Sequence, residues 1–170
     1  SPYLTVSILK ENLENLPHED QFKYKAKTGR PFISVHLRVI REDGSDVEPD
    51  ESEVGEIIVK GDNVTKGYWN RPDETEAVLK DGWLHTGDMA VIDKEGYVNI
   101  VDRKKDIIIT GGENVYSVEV ENVLYSHPCV LEAAVIGVPD PKWGEVVKAI
   151  IVLRQNMNVT AQDIIEYCRK

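Results

Sequence analysis

Short segments in which apolar and polar residues alternate dominate the first hundred residues of the chain. Residues 32–41, FISVHLRVIR, alternate with a period of two, which predicts a half-buried strand. Residues 54–61 follow a polar stretch and predict its hairpin partner. MAVI (89–92) and YVNIV (97–101) predict two further strands joined by a turn. Between these hairpins, Pro72 and the acidic residues after it predict the start of a short helix.

A different pattern follows the charged run DRKKD. Residues 106–110 predict a short buried strand, and apolar residues spaced by three and four predict a helix capped by Ser117. Further on, the pattern predicts two strands and a final helix capped by Thr160, with the strands at 130–138 and 146–153. We therefore expect an α+β protein with a β-rich domain over 1–104 and a small α/β domain over 105–170.

Composition places the chain among soluble globular proteins, with 41% hydrophobic and 29% charged residues. The longest unbroken apolar run is 149–153, which is too short to cross a membrane. The first residues resemble no signal peptide, and Cys129 and Cys168 are isolated in the sequence. We expect a cytoplasmic protein with reduced thiols. Both ends of the chain look like internal points of a longer protein.

The net charge of −10 comes mostly from residues 42–56, which hold eight acidic residues and no basic ones. The spacing of Gly44 and the interruption by Pro49 do not fit a calcium-binding loop, so a solvated turn is expected. The four histidines show no zinc-ligand spacing, and no metal site is predicted. No basic stripe with interleaved aromatic residues indicates a nucleic-acid partner.

Asp88 is the first candidate for ligand binding. In WLHTGDMAV (83–91), a Thr-Gly corner after a strand is expected to bring Asp88 to a loop tip. An ionised carboxylate only accepts hydrogen bonds, which suits two adjacent hydroxyls such as those of a ribose. Alternatively, Asp88 caps the turn through its own backbone.

The charged run and the glycines after it supply the other candidates. Arg103 has the donor geometry for phosphate or ribose oxygens, or it forms a surface ion pair with Asp102 or Asp106. Gly111 and Gly112 either allow a ligand or another backbone to approach closely, or form a turn that needs positive φ. The residues alone leave both pairs of alternatives open.

Residues 55–121, GEIIVKGDNVTKGYWNRPDETEAVLKDGWLHTGDMAVIDKEGYVNIVDRKKDIIITGGENVYSVEVE, closely resemble the adenylate-forming enzymes, in particular acyl-CoA synthetases and fatty-acid–CoA ligases. TGRPFISVHLRVI (28–40) resembles the preceding β segment of that family. The resemblance implies a distorted antiparallel β subdomain, which ends the large N-terminal domain, followed by a small C-terminal domain that is incomplete here. It also implies ATP, Mg²⁺, CoA and a carboxylic acid as the substrates and cofactors of the full-length enzyme.

The resemblance assigns roles to particular residues. Asp88 matches the acid that holds both ribose hydroxyls, Ile100 a residue that lines the nucleotide pocket, and Arg103 the arginine at ribose and phosphate. Lys105 matches the hinge between the two domains. Gly111 and Gly112 match the loop that shapes the passage for the pantetheine arm of CoA. Ser117 replaces a frequent proline, with little expected consequence because serine is a good N-cap.

The same resemblance puts other parts of the machinery outside this sequence. The phosphate-binding loop of the family lies upstream of Ser1, and its catalytic lysine lies beyond Lys170. We therefore expect no catalytic residue in this chain, no ligand bound to the chain alone, and no activity without the rest of the enzyme. Two alternatives stay open: an adenylation domain with another acceptor, as in peptide synthetases or luciferase-like enzymes, and a non-catalytic binding module.

Overall fold

The computed structural model describes residues 3–169. Both ends of the chain, predicted to be internal to a longer protein, include residues outside this range. By its contacts the chain divides into two compact units, Ser1–Val101 and Asp102–Lys170. This division falls slightly before the boundary expected from the sequence between residues 104 and 105. Because contact density alone does not locate a pivot, the position of the hinge stays a prediction.

The first unit is built mainly from antiparallel strands. Its strands are β1 (Thr5–Val6), β2 (Arg30–Pro31), β3 (Val35–Ile40), β4 (Gly55–Gly61), β5 (Leu79–Lys80), β6 (Trp83–Ile92) and β7 (Val98–Arg103), the last of which crosses into the second unit. Its helices are α1 (His18–Lys25) and α2 (Pro72–Val78). β1 pairs with β2, and the larger sheet has the order β3-β4-β6-β5 with β7 also paired to β6.

The predicted β3–β4 hairpin is confirmed, with Val35 opposite Gly61 and Ile40 opposite Glu56. The buried face of this sheet forms the core of the first unit, where Val59 and Val98 are fully buried. Burying an aliphatic side chain of this size contributes roughly 1.5–3 kcal/mol. Pro72 begins α2 as predicted, with Asp73 and Glu74 in the first turn.

The acidic segment between β3 and β4 is an irregular connection held by basic side chains. Arg41 makes a two-pronged contact with Glu53, through Nε at 2.8 Å and Nη2 at 2.7 Å. Lys27 Nζ lies 2.7 Å from both Glu51 and Asp93. Burial alone would lower the pKa of Lys27, but its hydrogen bonds to Asp93 and Glu51 outweigh that effect and raise the pKa. These contacts tie the acidic segment to other parts of the first unit.

The second unit contains one antiparallel sheet and two helices among the residues that the structure describes. Its elements are β8 (Ile108–Thr110), β9 (Glu113–Val115), α3 (Ser117–Tyr125), β10 (Val130–Asp140), β11 (Gly144–Leu153) and α4 (Ala161–Tyr167), with strand order β10-β11-β8-β9. Ile108, Leu124, Val130, Val135 and Ile164 form its core. The predicted capping box at α4 is confirmed, because Thr160 and Asp163 bond each other's backbone N–H.

Side chains of α3 satisfy backbone groups of β10. Glu121 Oε1 accepts the N–H of Val135 at 2.9 Å, and the Tyr125 hydroxyl donates to the carbonyl of Ala133 at 3.1 Å. β10 lies at the edge of its sheet, where unpaired backbone groups would otherwise offer a template for another strand. The two contacts therefore fix α3 on the sheet and cover part of that edge.

Candidate active site

A bulge in the longest strand of the first unit carries Asp88. Ile58 pairs with His85 and Glu56 with Met89, so Thr86, Gly87 and Asp88 of β6 stand opposite Ile57 alone. Gly87 has φ +74°, a conformation that glycine adopts without steric cost. A bulge re-aims side chains and interrupts regular pairing, so Asp88 leaves the alternation of its strand.

Neighbouring polar groups hold this bulge in shape. The Thr86 hydroxyl donates to the carbonyl of Ile57 at 2.8 Å and accepts the N–H of Asp88 at 3.1 Å. Glu56 lies beneath the bulge, with Oε1 3.3 Å from the N–H of Gly87 and Oε2 3.2 Å from His85 Nδ1. The backbone that carries the half-buried Asp88 is thus bonded on both sides.

The expectation that Asp88 sits at a loop tip is wrong, because the Thr-Gly pair lies inside β6 rather than at its end. A Thr-Gly pair indicates a local change of backbone direction. A bulge produces such a change inside a strand, whereas a turn ends the strand.

Ile100 lies on β7, which pairs with the strand of Asp88. Its side chain is 41% exposed, and its N–H donates to the Thr28 hydroxyl at 3.1 Å.

A buried carboxylate opens the second unit. Asp102, 5% exposed, accepts the N–H of Ser117 at 2.6 Å and the Ser117 hydroxyl at 2.9 Å on Oδ2, and the N–H of Arg103 at 2.8 Å on Oδ1. Ser117 is buried as well, at 8% exposure. We call this pair the Asp102–Ser117 clamp. A negative charge at the first turn of α3 also complements the helix dipole.

The clamp corrects the predicted role of Ser117. Tyr116 occupies the N-cap position without a side-chain cap, and Ser117 is the first helical residue. The pKa of the Tyr116 phenol is raised, mainly by burial and to a smaller extent by the negative charges of Glu119 and Asp102. Ser117 therefore does not cap the helix itself but presents two donors to Asp102. A proline at this position would lack the backbone N–H that donates to Asp102. The serine that replaces the frequent family proline therefore adds a hydrogen bond.

Arg103 and Lys105 lie shortly after Asp102 in the sequence, and both are exposed. Arg103 ends β7, while Lys105 is the middle residue of a single 3₁₀ turn, Lys104–Asp106. Short 3₁₀ turns are common connectors between secondary-structure elements. The predicted hinge residue thus lies in a short exposed turn between a strand and the buried start of β8.

Gly111 and Gly112 form the two-residue loop of the β8–β9 hairpin. Thr110 pairs with Glu113, and φ is +61° at Gly111 and +89° at Gly112. Positive φ at both central residues is the geometry of a type I′ turn, which matches the twist of the strands. Gly111 also meets a close neighbour, since a Cβ there would lie 2.9 Å from Cε3 of Trp143. Of the two interpretations of the glycine pair, the turn with positive φ is what the structure shows. The close approach of a ligand or another backbone stays a prediction, since the atoms that a Cβ on Gly111 would meet belong to the Trp143 ring.

Comparison with known proteins gives this arrangement a family. Residues 119–170 match the AMP-binding enzyme C-terminal domain. A feruloyl-CoA synthase from Amycolatopsis sp is 49% identical over 141 residues, which are 83% of this chain and 28% of the relative. The chain belongs to the adenylate-forming, AMP-binding enzymes.

Solved structures of adenylate-forming enzymes have the same fold. The o-succinylbenzoate CoA synthetase of Bacillus subtilis, in complex with the acyl-adenylate intermediate OSB-AMP, is 44% identical with a TM-score of 0.78, covering 91% of this chain and 31% of that one. The same synthetase in complex with ATP and magnesium ion is 43% identical with a TM-score of 0.76, at the same coverage. The chain spans less than a third of the length of these relatives.

Two residues that contact the glycine hairpin were not predicted from the sequence. Trp143 packs its ring on Gly111, and Glu145 bonds the backbone of Ile109. Neither residue had a recognisable motif, because their contact with β8 depends on pairing between strands far apart in sequence.

No group of three or more metal-ligating side chains occurs within residues 3–169. None of the helices within residues 3–169 has the length and the apolar composition of a membrane span.

Proposed function

We propose that this chain is part of an AMP-forming acid–thiol ligase. In the full enzyme, a carboxylate and ATP form an acyl-adenylate and pyrophosphate, and the CoA thiol then displaces AMP to give the thioester. The observation that carries this proposal is the 49% identity to a CoA synthase over 83% of the chain. That identity is reinforced by an intact order of motifs from the Asp88 bulge to the glycine turn.

Three residues, Asp88, Ile100 and Arg103, supply contacts to the nucleotide. Asp88, held half-buried on a braced bulge, accepts hydrogen bonds from the two ribose hydroxyls. Ile100, with a partly exposed apolar side chain, lines the nucleotide pocket. Arg103 contributes a guanidinium to ribose or phosphate oxygens, a geometry that suits such acceptors. The family resemblance implies that Mg²⁺ accompanies ATP in the full enzyme.

The second unit serves thioester formation. Lys105 is the pivot about which the unit turns between the two half-reactions. The type I′ turn at Gly111 and Gly112 lies along the passage for the pantetheine arm, where the absence of side chains on the turn leaves the room that a slender thiol chain needs.

We test the whole proposal with the full-length protein that carries this sequence. Purified enzyme is incubated with ATP, Mg²⁺, CoA and a panel of aliphatic and aromatic carboxylic acids, and acyl-CoA and AMP are quantified by chromatography. Stoichiometric formation of both products with at least one acid is expected. Absence of acyl-CoA with every acid, or release of ADP in place of AMP, would contradict the proposal.

Replacing Asp88 by Ala in the full-length enzyme is expected to raise the KM for ATP about tenfold or more. A hydrogen bond to a charged group contributes about 1.5–3 kcal/mol, and 1.4 kcal/mol corresponds to a factor of ten. Initial rates of acyl-adenylate formation at varied ATP concentration measure the effect. Asp88→Asn keeps one oxygen acceptor and should lie between Ala and wild type. An unchanged ATP dependence would return Asp88 to a backbone-capping role.

The 170-residue chain on its own is expected to be inactive. The resemblance assigns the triphosphate-binding loop and the catalytic lysine to other parts of the enzyme, and such electrostatic stabilisation is typically worth about two to three orders of magnitude in rate per group. Carboxylate-dependent ATP–pyrophosphate exchange is the measurement, with the full-length protein as positive control. Detectable exchange by the isolated chain would refute this expectation.

A further inference from the structure

Residues 143–145 hold the glycine hairpin through three consecutive contacts. The N–H of Gly111 donates to the carbonyl of Trp143 at 2.9 Å. Gly144 pairs with Thr110 in the β8–β11 ladder. The N–H of Ile109 donates to Glu145 Oε2 at 2.9 Å. The hairpin that carries the turn is thus attached to β11 through this tripeptide.

The last of these contacts is unusual for a sheet, because a side-chain carboxylate takes the place of a main-chain acceptor. Regular antiparallel pairing would offer the N–H of Ile109 a carbonyl oxygen. Glu145 instead supplies an ionised oxygen, and hydrogen bonds to an ionised partner are roughly twice as strong as neutral ones. Glu145 is half-buried, so water shields this bond only in part.

The neighbouring strand leaves space for this carboxylate. A Cβ on Gly137 of β10 would lie 3.1 Å from both Cδ and Oε1 of Glu145 and 3.2 Å from Oε2. Gly137 is not among the glycines with positive φ, so its backbone makes no demand for glycine. A methyl group there would push the Glu145 carboxylate aside by a few tenths of an ångström. Gly137 and Glu145 therefore act together on β8.

We infer that Glu145 is a positioning residue for the thiol-transfer half-reaction: its carboxylate, seated against Gly137, sets the place of the Gly111–Gly112 turn along the CoA passage. This inference rests on the proposed function, since the role of the turn comes from it. Glu145 does not touch the reacting atoms. It acts through the backbone of Ile109, two residues before the turn.

The experiment uses the full-length enzyme and separates the two half-reactions. Glu145→Ala is expected to raise the KM for CoA about tenfold, the loss that one charge-assisted hydrogen bond predicts, while ATP–pyrophosphate exchange stays within about twofold of wild type. Glu145→Gln keeps an oxygen acceptor for Ile109 and should restore most of the affinity for CoA. Glu132→Ala, at an exposed position of β10, is the matched control and should leave both half-reactions unchanged.

Gly137→Ala supplies an independent arm of the same test. The added methyl group displaces the carboxylate, so this variant should reproduce the higher KM for CoA. The double variant, Gly137→Ala with Glu145→Ala, should be no worse than Glu145→Ala alone, because the two changes act on one contact. Equal loss in both half-reactions, additive effects in the double variant, or an unchanged KM for CoA would overturn the inference. If the wild-type enzyme made no acyl-CoA with any acid, the proposed function itself would be overturned. The wild-type assay is therefore carried out before any variant is measured.

Discussion

Replacing Asp102 by Ala is expected to destabilise the second unit by about 3 kcal/mol, because buried donors lose a charged hydrogen-bond acceptor. The substitution leaves the N–H and hydroxyl of the buried Ser117 without their acceptor, and each buried unsatisfied group costs about 1–3 kcal/mol. It also removes a negative charge from the first turn of α3. Equilibrium unfolding of the 170-residue chain in urea, followed by circular dichroism, measures the loss.

Two further variants separate the clamp from a general effect of removing an aspartate. Asp50 is an exposed residue of the acidic segment, and its carboxylate accepts local hydrogen bonds from Ser52, among them one from the backbone N–H at 2.9 Å. Asp50→Ala should therefore cost far less than Asp102→Ala. Ser117→Ala removes one of the donors and should give an intermediate loss. If Asp102→Ala and Asp50→Ala were equally mild, the clamp would not stabilise the unit.

Replacing Lys105 by Pro in the full-length enzyme is expected to slow thioester formation about a hundredfold, while acyl-adenylate formation is largely retained. Proline fixes φ near −65° and also restricts the residue before it, so the backbone loses freedom at both Lys104 and Lys105. Placing proline in a backbone conformation that it does not favour costs about 3 kcal/mol of free energy. This cost corresponds to roughly two orders of magnitude in rate. Single-turnover measurements of the two half-reactions give the ratio.

Lys105→Ala is the matched control, because alanine removes the same side chain and keeps the backbone free. It should leave the ratio of the two half-reactions near that of wild type. The exposed position of Lys105 means that neither variant disturbs packing. Equal slowing of both half-reactions by Lys105→Pro would argue against a pivot at this residue.

Local patterns predicted most of the elements whose faces are unequally buried. The β3–β4 hairpin, the strands β10 and β11 and the capped α4 follow from their apolar patterns or a helix cap. The helix α2, which buries none of its residues, was predicted from its first-turn proline and the acidic residues after it. The helix α1 was missed because it buries none of its residues and so has no apolar stripe to detect. Its charged residues give no period that separates helix from loop.

Prediction failed where the partner of a residue is distant in sequence. Ser117 looks like an N-cap, but its partner is Asp102, and the resulting bonds place it inside the helix. The bulge at Asp88 depends on the register of β6 against β4, which no local signal reports. The resemblance to a family supplied the candidate residues, whereas Glu145 emerged only from the pairing of β11 with β8.

The contact between Trp143 and Gly111 also gives the second unit an optical signal. Trp143 is the single tryptophan of the sequence after residue 101, and its ring is 49% exposed against the glycine turn. Indole fluorescence responds to such half-solvated surroundings, so a change at the turn alters the emission of this one residue. In a variant whose other two tryptophans, Trp69 and Trp83, are replaced by Phe, the tryptophan emission comes from Trp143 alone. A shift of its emission maximum then reports a change in the surroundings of the glycine turn.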